Sequence, residues 1–135
     1  MKLEISLEDN IEIEEVIALY KANNWSSANQ PEKLISALKN SHSLVTARVD
    51  RELVGLGNAI SDGYLVVYYP HLLVHPKFQG KGIGTAMMKK LQKKYASFHQ
   101  QMLTADREAI VFYQSLGFKR ASKTEPMWIY DGDEH

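Results

Sequence analysis

Residues 79–84 read QGKGIG and run straight into an apolar and basic stretch, TAMMKKLQKKY. Gly80, Gly82 and Gly84 alternate with Lys81 and Ile83. The stripe Ile83, Met87, Leu91 and Tyr95 then recurs at helical spacing, with Met88 and Phe98 beside it. Lys89, Lys90, Lys93 and Lys94 fill the opposite, solvated face. A glycine turn feeding a helix is a strong constraint. The helix N-terminus exposes unpaired N–H groups and the positive end of the macrodipole. Glycines let that backbone approach an anion closely. Gln79, Gly80, Lys81, Gly82, Ile83, Gly84 and Thr85 are therefore a candidate phosphate cradle. The alternative is a flexible turn with a glycine-rich helix start, for which three glycines in five positions is unusual, and Gly84 costs roughly 1 kcal/mol against alanine inside a helix.

Two phosphate motifs fail on register. A P-loop needs G-x-x-x-x-G-K-[ST], and here Thr85 and Ala86 follow Gly84. The dinucleotide fingerprint needs G-x-G-x-x-G or alanine, and Gly80, Gly82 and Thr85 do not satisfy it.

The rest of the chain limits the context. Its 135 residues fit one domain over 1–130, with an acidic tail over 131–135 expected to be disordered. KLEISLE alternates as a strand. DNIEIEEVIALYKANN follows as a helix capped by Asp9 or Asn10, and PEKLISALKNS as a second helix with Pro31 in its first turn. SLVTARV, ELVGLGNAIS and YLVVYYPHLLV read as strands, with turns at Asp50-Arg51 and Asp62-Gly63. Pro70 interrupts the third of these and marks a bulge or an edge. QQMLTA is a strand, REAIVFYQSL a helix stopped by Gly117, and FKRASKT and PMWIYD two closing strands. This order predicts a mixed α+β fold.

Net charge is zero, with 16 basic and 16 acidic residues, which excludes a general nucleic-acid binder. Cysteine is absent, so disulfides and thiolate zinc sites are excluded and no metal is expected. No apolar run reaches the roughly 20 residues of a membrane span, so no membrane partner is expected. The acidic first twenty residues do not read as a signal peptide, and a cytoplasmic location is expected.

One pattern does match. QGKGIG satisfies Q-x-x-G-x-G at Gln79, Gly82 and Gly84 and resembles the acetyl-coenzyme A signature of the GCN5-related N-acetyltransferase (GNAT) family. LLVHPKFQGKGIGTAMM resembles that family's strand-turn-helix unit. DREAIVFYQSLGF resembles its second signature, N-x-x-A-x-x-F-Y-x-x-x-G-F, with Asp106 where asparagine is usual. A carboxylate there would be unfavourable beside coenzyme phosphates.

The resemblance implies a mostly antiparallel, twisted central sheet of about seven strands, splayed at a bulge, with about four helices on both faces. It implies acetyl-CoA (or CoA) as cosubstrate, with its pyrophosphate on the glycine turn. The pantetheine arm would lie in the splay and pair with Leu73 and Val74, and Phe112 would lie against it or in the core. Tyr113 falls on the family tyrosine that donates a proton to the departing thiolate; an ordinary core aromatic is the alternative. The base is open among Asp62, Tyr68, His71 and a water chain, though a plain hairpin turn also explains Asp62. In a regular strand Tyr68 and His71 cannot face the same way unless the Pro70 bulge reorients one. The acceptor pocket would draw on Tyr20, Asn24, Trp25, Tyr64 and Tyr68, and its aromatic rings suit a small cation; Trp25 as a cap on the core beneath the loop is the equal alternative.

The function implied is acetyl transfer from acetyl-CoA to a primary amine, expected to be a small molecule. The rivals are a non-catalytic acyl-CoA-binding domain, a protein or peptide N-acetyltransferase, and a partner-binding domain that keeps only the fold. A homodimer through strand edges near KRASKT and PMWIYD is a further expectation.

Overall fold

The computed structural model describes residues 2–8 and 10–132. Its elements are β1 (Leu3–Leu7), α1 (Ile13–Ala22), α2 (Pro31–Lys39), β2 (Ser43–Val49), β3 (Glu52–Ser61), β4 (Val66–Tyr68), β5 (Leu72–Val74), α3 (Ile83–Lys94), β6 (Gln100–Met102) and α4 (Ala109–Ser115). Short helical turns at Ser26–Asn29 and Pro76–Phe78 complete the set. The six strands form one sheet in the order β1-β2-β3-β4-β6, with β5 also paired to β3. All pairs are antiparallel except β4 with β6.

The β2–β3 hairpin turns at Asp50 and Arg51, both with positive φ, as its two-residue connection requires. Further along, the register slips between Ala47 and Arg48, leaving Val54 as an extra residue on β3. That bulge sends Leu53 and Leu56 to one face of the sheet and Val54 and Ala59 to the other. Two cores result. α1 and α2 cover one face with Val16, Leu19, Tyr20, Leu34 and Leu38. α3 covers the other with Ile83, Met87, Met88, Leu91 and Tyr95, the stripe read from the sequence.

Three sequence expectations change. Helix α1 starts at Ile13 with Glu12 as its N-cap rather than Asn10, and Asp9 lies outside the described residues. The Glu12 N–H instead donates to the Glu15 carboxylate at 3.0 Å, and the Asn10 carbonyl accepts from Arg48. YLVVYYPHLLV is two strands, not one. FKRASKT and PMWIYD form no strands: residues 119–132 are exposed, and no ladder reaches them. Alternation is only half of a strand; it also needs a partner edge, and Met127 and Ile129 lie open to solvent at 93% and 106%. The strand edges on which pairing between copies was expected to rest are therefore absent from the described residues. Of the acidic tail, residues 133–135 also lie outside them.

One ion pair ties α1 to the β2–β3 hairpin. The Arg48 guanidinium reaches both Glu15 oxygens at 2.9 and 2.7 Å, and it also donates to the Arg51 and Asn10 carbonyls. Hydrogen bonding from Arg48 holds the Glu15 carboxyl below its usual range. A depressed folded-state pKa stabilises the fold above the unfolded value and ceases to do so as pH falls through the folded one. Urea midpoints should therefore fall as pH drops below about 4.5, and Glu15→Gln should flatten that part of the profile relative to wild type.

Candidate active site

The site begins with a break in a strand. Ile60 lies opposite Tyr68, whereas Asn58 bonds His71, so two steps along β3 match three along its partner. Pro70 sits at this one-residue jump and has no N–H to lose from the ladder. Asn58 fixes the far side of the jump. Its main-chain N–H donates to the His71 carbonyl at 3.1 Å, and its side-chain oxygen accepts the His71 N–H at 3.0 Å. Its amide nitrogen in turn donates to Ser41 Oγ. The sequence alone did not single out Asn58; a polar residue inside an otherwise apolar strand is the signal that could have found it.

The jump has two effects. First, it splits the sheet. β4 runs parallel to β6, and the last bond between them passes from the Tyr69 N–H to the Met102 carbonyl. Beyond it, β5 stays with β3 and no ladder joins it to residues after Met102. Second, it reverses side-chain parity. Val67 and Tyr69 belong to the α3 face, but so do Leu72 and Val74. His71 therefore turns to the α1 face beside Tyr68, and both line one cleft. The bulge reconciles two side chains that a regular strand would keep apart.

The cleft measures about 740 Å³ and sits on the split. Tyr68 and His71 form one wall, and Thr104, Ala105 and Asp106 form the other. Ser26, Ser27 and Gln30 close it from the α1–α2 loop. Pro126, Met127, Trp128 and Tyr130 of the C-terminal segment also line it. Behind it, Tyr20, Trp25 and His71 pack edge to face with ring centroids 5.2–5.6 Å apart. The Tyr20 hydroxyl is 2.8 Å from His71 Nδ1, and burial pushes its pKa far up, so the phenol stays protonated.

Of the residues considered for the acceptor pocket, Tyr20, Trp25, Tyr68 and His71 thus come together. Asp62 and Tyr64 do not join them. Asp62 Oδ1 accepts the N–H groups of Tyr64, Leu65 and Val66 and builds the β3–β4 turn, and Tyr64 is 84% exposed. The three N–H donors hold the Asp62 carboxyl below its usual range, which makes it a poor base.

The glycine turn lies at the α3 end of β5. Gly82 caps the helix in the left-handed region at φ 82°, and Gly80 has φ 76°. The first helical bond runs from the Ala86 N–H to the Gly82 carbonyl, and no acceptor meets the N–H groups of residues 80–85 among the described residues. A Cβ built on Gly80 or Gly82 would meet nothing within 4 Å, so the space over these amides is open. The Gln79 side chain donates to the Val74 carbonyl at 3.0 Å and closes the loop behind them. At Gly84 a Cβ would stand 3.4 Å from Phe112 Cζ, so this glycine admits the Phe112 ring against the helix start. A row of unpaired amides at a helix N-terminus fits a pyrophosphate.

The main chain of β5 differs from expectation in one respect. Leu73 faces Leu56, two residues from the bonded partners Asn58/His71 and Val54/His75 on either side. By antiparallel alternation the N–H and carbonyl of Leu73 point to β3, whereas those of Leu72 and Val74 point into the split. Leu73 is thus unavailable there, and it is the Leu72 main chain that faces the split beside Val74.

Tyr113 is half-buried on α4, edge-on to Phe112 and Phe118 at 5.0 and 5.8 Å. Burial pushes its phenol up to about 12. No protein hydrogen bond engages the hydroxyl among the described residues. No group of three or more His, Cys, Asp or Glu that could hold a metal ion occurs among those residues, and none of their helices is long and apolar enough to cross a membrane.

Comparison with known proteins follows the same lines. Residues 9–127 match the family described as an acetyltransferase (GNAT) domain. An uncharacterized N-acetyltransferase, ycf52, of Pyropia yezoensis is 30% identical over 84% of this chain and 68% of its own. A Glycine max protein named histone acetyltransferase TAP1 is 31% identical over 64% of this chain, which spans only 43% of it. Among solved structures, a GNAT-family acetyltransferase of Streptococcus pneumoniae superposes with a TM-score of 0.83 at 28% identity, covering 97% of this chain and all of its own.

The clamp at the split is testable by itself. Asn58→Ala leaves the His71 N–H without its acceptor and should cost about 1–3 kcal/mol of unfolding free energy in urea titration. A loss below a few tenths would show that the jump is held by something else.

Proposed function

The chain belongs to the GNAT acetyltransferase family, and from that membership we propose that it moves the acetyl group of acetyl-CoA to the primary amine of a small molecule, by direct attack in a ternary complex. The observation that carries this reading is the pairing of an amide-lined anion cradle with a split sheet whose two arms wall a cleft. The unpaired N–H groups of residues 80–85 hold the pyrophosphate. The Leu72 main chain and the Val74 N–H receive the pantetheine arm and orient the thioester carbonyl, while the Val74 carbonyl stays with Gln79. Phe112 supports the helix start from behind. The amine approaches from the α1 side, between Tyr68, His71 and Thr104. As its nitrogen bonds to the carbonyl carbon, the carbon–sulfur bond breaks, and the proton lost by nitrogen ends on sulfur. Alignment of the two reactants supplies much of the rate.

Tyr113 assists the leaving sulfur. Its phenol at about 12 is fully protonated at neutral pH. It is also a weaker acid than a coenzyme thiol of about 8.5, so complete transfer to a free thiolate runs uphill. Its contribution is a hydrogen bond to sulfur as negative charge develops there. The proton lost by the amine travels from nitrogen to sulfur by way of water, since Asp62 is committed to its turn.

What supports a small acceptor is a cleft of about 740 Å³ that the C-terminal segment and the α1–α2 loop line from two sides. The name of the soybean relative makes a protein acceptor the reading to test against. Thiol release should be seen with free amines and not with lysine peptides; the reverse result would replace the small-molecule assignment.

Two variants probe the machinery. Tyr113→Phe should lower kcat about a hundredfold while calorimetry gives an unchanged Kd for acetyl-CoA; full turnover would remove the tyrosine from the chemistry. Gly82→Ala forces a side chain into left-handed φ at the cradle, and coenzyme binding should weaken by about 1–2 kcal/mol.

A further inference from the structure

We infer that the acceptor is a diamine, one of whose nitrogens reacts at the split while the other stays cationic on Asp106. This rests on the acetyl-transfer reading above. Among the described residues lining the cleft, Asp106 alone carries a fixed charge, and no lysine or arginine lines it. Asp106 thus belongs to the acceptor cleft rather than to the glycine turn, which accounts for a carboxylate in a protein that must also hold phosphates. Its neighbour Arg107 lies 3.8 Å away with both side chains more than half exposed. Such a pair contributes little, and a bound ammonium that sheds its water can displace it.

A carboxylate beside an ammonium favours the charged form and raises its pKa. Attack on the thioester needs the neutral amine. Asp106 would therefore oppose the reaction if it held the reacting nitrogen, and it suits a second nitrogen that never reacts. One carboxylate matches one retained charge, so an acceptor with several further ammonium groups finds no counterpart. Between the two nitrogens the spacer is apolar. Tyr68, Trp128 and Tyr130 line the cleft beside Asp106, with Trp128 edge-on to Tyr130 at 5.2 Å. Their rings suit methylene groups and add cation–π attraction for the retained ammonium. The C-terminal segment supplies two of these rings without forming a strand.

The test compares diamines with monoamines of equal length, putrescine against butylamine and cadaverine against pentylamine, by thiol release from acetyl-CoA. Wild-type kcat/KM should favour the diamine by about tenfold or more, as for a charged hydrogen bond. Asp106→Asn should abolish that preference through KM, Asp106→Glu should retain part of it, and the Kd of acetyl-CoA should be unchanged in both. Equal use of diamine and monoamine by wild type overturns the inference and leaves acetyl transfer intact. So does an Asp106→Asn protein that keeps the preference, or one that instead binds acetyl-CoA more tightly, which would assign the residue to the coenzyme. No thiol release with any amine, while acetyl-CoA still binds, overturns both readings.

Discussion

A single unpaired residue at Pro70 organises the functional half of this protein. Because β3 is continuous and its partner is not, the sheet holds β4 in register with β6 and then carries β5 away from it. The opening is kept by hydrogen bonds rather than by apolar packing: both main-chain groups of His71 are taken by Asn58. A buried polar side chain is costly without partners. Asn58 has them on both sides, so it stabilises a geometry that ladder pairing alone would close.

The same break couples the two faces of the sheet. On the α3 face, Leu72 and Val74 continue the core beneath the glycine turn. On the α1 face, His71 meets Tyr20 and Trp25, and Tyr68 lines the cleft with it. Neither core is interrupted, since the change of parity keeps apolar side chains inward on both. The opening thus costs the sheet a few ladder bonds and little hydrophobic burial, and it leaves the Leu72 main chain and the Val74 N–H facing the split, the Val74 carbonyl being held by Gln79.

Charge follows a similar division. The glycine turn presents backbone N–H groups and the positive end of the α3 dipole, and its lysine, Lys81, lies over the Phe78 ring at 5.8 Å. The cleft is lined by aromatic rings and one carboxylate, Asp106. On the proposed reading, an anion held by main chain and a cation held by side chains would sit at one split without either neutralising the other.

Local information was enough for the glycine turn, the α3 stripe, the Asp50-Arg51 hairpin and the Gly117 stop, because each depends on residues within one or two turns of chain. The break at Pro70 was legible for the same reason: a proline without its N–H cannot sit in a central ladder. Three matters depended on distant partners and were decided only in three dimensions. Whether FKRASKT and PMWIYD became strands depended on an available edge, and the ladder stops at β6. Whether Leu73 or Leu72 faces the split depended on register against β3, which a one-residue shift inverts. Whether Asp106 stands by the glycine turn or in the cleft depended on which side of the opening its chain emerges, and it lines the cleft. Sequence determined the kind of turn, helix and bulge, because sterics of a few neighbouring residues fix them; the fold determined what each exposes, because facing is a property of pairs.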